Sequence, residues 1–242
     1  MIRVLVAEAA KLRRSLVLLL CAAAPAMVAL LCALMFQQRP GPDQPWAIYL
    51  ISASAIWSFF MLPMTVTALT ILVAQLEHGP RFWNHLLALP VPRASFFAAK
   101  IAIVLLLVAA KTALLFVLTP LLGWLGDAAA PGRSLTGALE LGQFAGTLAR
   151  MFAGALLLIA LQLWAALRFR SFVPPLVLGI GGTFVAVVAT ASDYGPYFPW
   201  LIATNALASD PERAQLALGV GAVGGMLAIA AMLVDLSRRE IV

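Results

Sequence analysis

Six apolar stretches, each close to the length of a membrane span, take up most of this 242-residue sequence. They run approximately over 16–36, 48–75, 98–124, 143–167, 172–192 and 214–236. A helix needs about 20 predominantly apolar residues to cross the hydrocarbon layer of a bilayer. The connections between the stretches reach only about 20 residues, too short for a separate soluble domain. Charged residues make up 11% of the chain and hydrophobic ones 63%, where a soluble domain carries about 25% charged. So few charges cannot cover a water-facing surface, and the outer solvent must be lipid. The pattern predicts an all-α polytopic membrane protein: one transmembrane domain over 1–242, with an interfacial helix over 1–15 ahead of the first span.

The net charge of +6 is distributed rather than patched. Arg3, Lys11, Arg13, Arg14, Arg81, Arg93, Lys100, Arg168, Arg170, Arg238 and Arg239 fall on one side of the six spans, and only Arg39, Arg133 and Arg213 on the other. That asymmetry follows the positive-inside bias and argues against a nucleic-acid partner, which would need one basic face. It places both termini in the cytoplasm. Tyr49, Tyr194, Tyr197, Trp46, Trp124 and Trp200 then collect at the outer interface, where an aromatic belt is expected. The first run exceeds the 7–15 residues of a signal-peptide core and reads as an uncleaved span. Cys21 and Cys32, eleven residues apart on that run, lie roughly 16 Å apart on a helix and cannot bridge. In the second run Pro63 predicts a kink, with Thr65 and Thr67 placed to bond freed carbonyls. The fifth opens at Pro174–Pro175 and carries Gly179, Gly181 and Gly182, which favours an irregular start or a break.

The connection between the second and third runs has the most specific pattern. After Gly79–Pro80, Phe82, Leu86 and Leu89 fall on one stripe beside Trp83 and Leu87, while Arg81, Asn84 and His85 fall opposite. This spacing predicts an amphipathic helix over about 80–89 at the cytoplasmic interface, stopped by Pro90 and Pro92. Physically, such a helix either anchors the loop to the membrane or docks a soluble partner.

The residues Glu77, Gly79, Phe82, Trp83, Leu86, Leu87, Pro90, Arg93 and Lys100 resemble the coupling segment of permeases of type-2 ATP-binding-cassette exporters. The opening stretch Glu8-Ala-Ala-Lys11-Leu-Arg13-Arg14-Ser15 is similar to that family's interfacial helix. Six spans, cytoplasmic termini and this length match the small permeases of lantibiotic self-protection. Pro80 directly after Gly79 departs from the family's pattern and bears on where the helix starts.

The resemblance implies that two permease subunits, alike or related, pair on two nucleotide-binding ATPase subunits in a bacterial cytoplasmic (inner) membrane. The segment holding Glu77, Gly79, Arg81, Phe82, Trp83, His85, Leu86, Pro90 and Arg93 would couple the ATPase to the spans. The lysines Lys11, Lys100 and Lys111 follow no G-x-x-x-x-G-K-[ST] loop, so ATP and Mg would be bound by the partner ATPase and this chain would carry no cofactor and no catalytic residue.

Within the spans, Lys111 and Arg150 are charges at a costly depth. They either line a path for a polar or anionic part of a cargo, or Lys111 snorkels or pairs with an acid of another subunit. Neither Glu140 nor Gln162 is a helical neighbour of Arg150, which predicts a partner from another helix. Gly142/Gly146 and Gly221/Gly225 are Gly-x-x-x-Gly pairs that serve either packing within one subunit or dimerisation. The segment Asp193–Trp200, with Tyr194, Tyr197 and Trp200, reads as an outer cap, a cargo-release element, or both. His78 and His85 have no third ligand near them, which predicts no metal site. The expected function is the permease of an ATP-driven exporter with a hydrophobic or amphipathic cargo: an antimicrobial peptide, or a lipid-linked or drug-like molecule. An ion-coupled secondary transporter, which would want buried acids, is the alternative. A non-transporting membrane anchor needs fewer spans.

Overall fold

The computed structural model describes residues 10–12, 15–38, 41, 43–76, 93–129 and 132–238. The interfacial helix expected over 1–15 and the helix expected over 80–89 lie largely or wholly outside them. Among the described residues, four helices are long and apolar enough to cross a membrane, or five when one bent pair counts as a single span.

Helix α1 (Leu16–Gln38) is the first of these. The second span is continuous from Trp46 to Gln75 but not uniform. It consists of α2 (Trp46–Ile56), one π-helical turn (Trp57–Met61) and α3 (Leu62–Gln75). The π turn directly precedes Pro63, whose missing N–H and ring oppose a regular α turn there. Thr65 Oγ1 donates to the carbonyls of Met61 at 2.6 Å and Leu62 at 3.2 Å, and Thr67 Oγ1 to that of Pro63 at 2.9 Å. The kink expected from proline is therefore taken up as a wider turn, with hydroxyls on its carbonyls.

Helix α4 (Arg93–Ala128) passes back along α1. The run over 143–167 becomes a bent pair, α5 (Leu141–Gly154) and α6 (Leu156–Arg168), meeting at 41°. The run over 172–192 becomes α7 (Val173–Ala189), which at 17 residues is shorter than the other spans. Prolines 174 and 175 set its start in the first helical turn, where a missing N–H is tolerated. After α7 the chain makes a short 3₁₀ turn (Gly195–Tyr197) and a helix α8 (Pro199–Asn205) before α9 (Pro211–Arg238).

One feature is not helical. Residues Asp43–Pro45 (β1) and Ser134–Thr136 (β2) pair as a two-stranded parallel ribbon, Gln44 opposite Leu135. Ser134 Oγ donates to Asp43 at 2.7 Å, and Asp127 accepts from the Leu135 N–H at 2.6 Å. Arg133 donates to the carbonyls of Phe36 and Gln37 at the end of α1, where a helix leaves acceptors open. The ribbon thus ties together the ends of α1, α2 and α4.

The core runs through Trp57, Leu62, Val66, Leu69, Val104, Val108, Leu115 and Met151, all at most 1% exposed. The outside is also apolar, with Leu19, Leu106, Val177 and Val188 among the exposed side chains. A bundle apolar on both sides is the expected state of helices in lipid, where packing and internal hydrogen bonds replace the hydrophobic drive.

Candidate functional site

Two polar side chains inside this apolar bundle, Lys111 and Gln162, tie its helices together, while the Gln162 Oε1 and the Thr119 hydroxyl are buried without a hydrogen-bond partner among the described residues. Lys111, midway along α4, is 1% exposed. Its ammonium donates to Thr65 Oγ1, just past the π turn, and stands 5.5 Å from the centre of the Trp57 ring. A cation over an indole face is attracted by the ring quadrupole. Lys111 has no carboxylate partner among the described residues. Gln162 on α6 is fully buried. Its amide donates to Thr67 Oγ1 at 2.9 Å and to the Pro175 carbonyl at 3.0 Å, joining α6 to both α3 and α7. Gly179 lies against the same pair, since a side chain there would collide with Thr67 and Gln162.

At one end of the bundle, Asp235 on α9 accepts from Trp164 Nε1 at 2.8 Å and from Arg168 at 3.1 Å, both on α6. At the opposite end, Arg213 at the start of α9 donates to Asn205 Oδ1 at 2.9 Å and reaches the Ser192 carbonyl at 3.4 Å. Asn205 in turn donates to Leu201 and Gly195. The segment after α7 is thereby pinned to α9.

The residues singled out from sequence do not converge on one place. Glu77, Gly79, Arg81, Phe82, Trp83, His85, Leu86 and Pro90 lie outside the described residues, and Arg93 is the first residue of α4. Lys111 points inward to span two, but Arg150 lies on the exposed side of α5 rather than in the bundle interior. Its partner is Thr147, one turn earlier on its own helix at 3.5 Å, and not a group on another helix. Tyr194 and Tyr197 are exposed, whereas Trp200 is buried, stacked on Phe198 at 5.5 Å between centroids and against Gly182. The aromatic belt divides the same way. Trp124 faces outward, while Trp46 and Tyr49 pack edge-on inside, with Gly123 making room for both rings.

The two Gly-x-x-x-Gly pairs also separate. A Cβ on Gly221 would lie 2.7 Å from Gly154 Cα, and one on Gly225 would lie 2.7 Å from the Leu157 nitrogen. This pair packs α9 directly on the α5–α6 break. Gly142 and Gly146 have nothing within 4 Å. Three contributors escaped the sequence reading: the Trp57 ring, the Gln162 bridge and the Asp235 acceptor site. A lone amide inside an apolar run, and Trp164 and Arg168 one turn apart, were the available signals.

Residues 4–186 match the family described as ABC-2 family transporter protein. The chain belongs to this family. As an ABC-2 permease it is a multi-pass membrane subunit of a class that is generally not catalytic. It is 29% identical over 126 residues to the bacitracin transport permease protein BCRB of Bacillus licheniformis, an alignment covering 51% of this permease and 57% of that protein. The permease thus spans somewhat more than half of the length of the curated relative it matches. It resembles antibiotic-resistance permeases in sequence. No solved structure matches it.

Proposed function

We infer that this permease is the membrane half of an ATP-driven exporter and works with a separate ATP-binding subunit and a second permease chain. Family membership carries the reading, because residues 4–186 fall within the ABC-2 transporters. The likeness to a bacitracin transport permease favours an antimicrobial peptide or a comparable amphipathic molecule as cargo, moved outward from the cytoplasmic membrane. The termini and the 80–89 segment face the cytoplasm in this reading, in line with the lysine and arginine asymmetry. The segment from Glu77 to Arg93 docks in the ATPase and passes its closure to α3 and α4, which flank it in the chain.

The decisive experiment is co-purification of the tagged permease from native membranes in mild detergent. A soluble ATPase recovered at near-equal stoichiometry is the expected result. Recovery of the permease alone in several detergents would overturn the reading and move the ion-coupled transporter forward. Replacing Phe82, Trp83 and Leu86 together by alanine should then abolish export while leaving insertion intact.

A further inference from the structure

Where α6 meets α9, at the end of the bundle that holds Asp235, a shallow groove of about 580 Å³ lies on the outside of the protein. Trp164 of α6 forms one wall, and Ala230, Ala231, Val234, Asp235 and Arg238 of α9 form the rest. Ala231, Asp235 and Arg238 follow one another at four and three residues, so they share one side of the helix. Nearer the start of α9 the exposed positions carry Val223, Met226 and Leu227. The surface drops at the two alanines, and the Trp164 indole stands beside them, held by its hydrogen bond to Asp235.

Depth orders these residues. With α9 centred in a bilayer, the helical rise puts Ala230 and Ala231 about 8–10 Å from the midplane, Asp235 about 16 Å and Arg238 about 20 Å. The hydrocarbon ends about 15 Å from the midplane, and the headgroup layer reaches about 20–23 Å. The alanines therefore face acyl chains, and Arg238 lies level with lipid phosphates. Arg168, 39% exposed, spends one nitrogen on Asp235. Arg238 is exposed and has no partner among the described residues. Two guanidiniums thus meet one carboxylate, which Trp164 and Arg168 already engage. The mouth of the groove carries one positive charge in excess.

We propose that this groove is a site for one anionic phospholipid, its phosphate on Arg238 and Arg168 and an acyl chain over Ala230 and Ala231. Planar guanidinium donors match phosphate oxygens, and basic pockets between membrane helices suit anionic headgroups. Such a headgroup cancels the excess charge, whereas a zwitterionic one brings its own ammonium to a mouth that is already positive. A second copy of the chain fits less well. Among the described residues Asp235 is the one acid at this end, and it is already engaged, so a partner helix would cover Arg238 without a counter-charge. The site stands apart from the exporter reading and holds for either orientation of the chain.

The test uses the full chain purified in a mild detergent, with native mass spectrometry counting the lipids it retains. The probes are phosphatidylglycerol and phosphatidylcholine with identical acyl chains. One phosphatidylglycerol should bind about tenfold more tightly than one phosphatidylcholine, the worth of one charge-assisted hydrogen bond. Arg238→Gln should erase that preference, and Arg238→Lys should keep part of it. Ala231→Phe, which fills the groove, should weaken both lipids by a similar factor. Asp235→Asn gives the sharpest sign. It removes the negative charge from the mouth, so the preference for phosphatidylglycerol should rise even as the α6–α9 contact loses its ion pair. A fall in that preference together with stability would show a merely structural patch and overturn the site. A preference that survives Arg238→Gln, or phosphatidylglycerol retained in many equal copies, means general attraction to a basic surface and overturns it. Displacement of the lipid by millimolar glycerol phosphate does so too, since the headgroup alone would then suffice. With Cys21 and Cys32 replaced by alanine, an Ala231→Cys disulfide dimer that phosphatidylglycerol does not suppress assigns the groove to a second copy and likewise overturns the site.

Discussion

Two regions of the bundle carry polar groups at membrane depth, and they treat them in opposite ways. In the interior, Lys111 and Gln162 are each tied to threonines of α3, and Gln162 reaches the Pro175 carbonyl as well. At α5, Glu140 just before the helix and Gln143 and Arg150 on it are exposed and, apart from one long contact, their side chains are unpartnered among the described residues. The glycines repeat the contrast, with Gly221 and Gly225 pressed on α5 and α6 while Gly142 and Gly146 stand open. Residues of the same type therefore act as packing in one region and are left over in the other. The interior lysine has its ligands on a neighbouring helix, whereas the exposed Arg150 has its one contact among the described residues on its own helix.

The comparison is broken most forcefully at the glycines. Gly225→Leu should prevent α9 from seating on the α5–α6 break and leave little monodisperse protein in detergent, while Gly146→Leu should be recovered at parental yield. Equal yields would show that the two pairs do not differ. Next comes Thr65→Val, which removes the one hydrogen-bond acceptor that Lys111 has among the described residues. Stranding a buried donor costs about 1–3 kcal/mol or more when it is charged. Lys111→Met, which removes the charge itself, should cost less or stabilise. Chemical unfolding in the same detergent ranks the two, and the reverse order would show that Lys111 gains its stability elsewhere.

Smaller effects sharpen the picture. Gln162→Leu should lower stability by about 1 kcal/mol, since hydrogen bonds between membrane helices average ~0.6 and reach ~1.7 kcal/mol. Combined with Thr67→Val, it should show non-additivity in a double-mutant cycle. Asp235→Asn should cost no more than about 1 kcal/mol, because the Arg168 and Asp235 side chains are 39% and 27% exposed and such pairs are weak. Its clearer sign is a changed Trp164 emission, as the indole N–H loses a carboxylate for an amide.

Much of the layout was legible in the sequence because apolar run length is a direct physical requirement of crossing lipid. Pro63 with Thr65 and Thr67 foretold an irregularity in span two, although not that it would be a π turn. Other features depend on neighbours that no local pattern announces. The 41° bend after Gly154 falls where Gly221 and Gly225 of a distant helix press on it. The inward packing of Tyr49 and Trp46 depends on Gly123, far along the chain. Arg150 could be recognised as unusual from depth alone, but the side of α5 it occupies follows from which face Phe144, Leu148 and Met151 bury. The ribbon of β1 and β2 joins three-residue segments about 90 positions apart, too short and too distant to leave a periodic trace.

The π turn at Trp57–Met61 also sets the phase of span two. A turn closed by i→i+5 bonds takes in one more residue than an α turn, so everything after it is offset around the screw by roughly 100°. The half before the turn packs on α1 and α4, and the half after it packs largely on α6 and α7. One helix thereby serves two sets of neighbours with two different faces. Deleting a single residue from the turn would leave both halves helical and equally apolar, yet it would swing Thr65, Thr67 and Thr70 away from their present bearing. The extra residue acts as a phase shifter, placing both the Lys111 and Gln162 contacts at once.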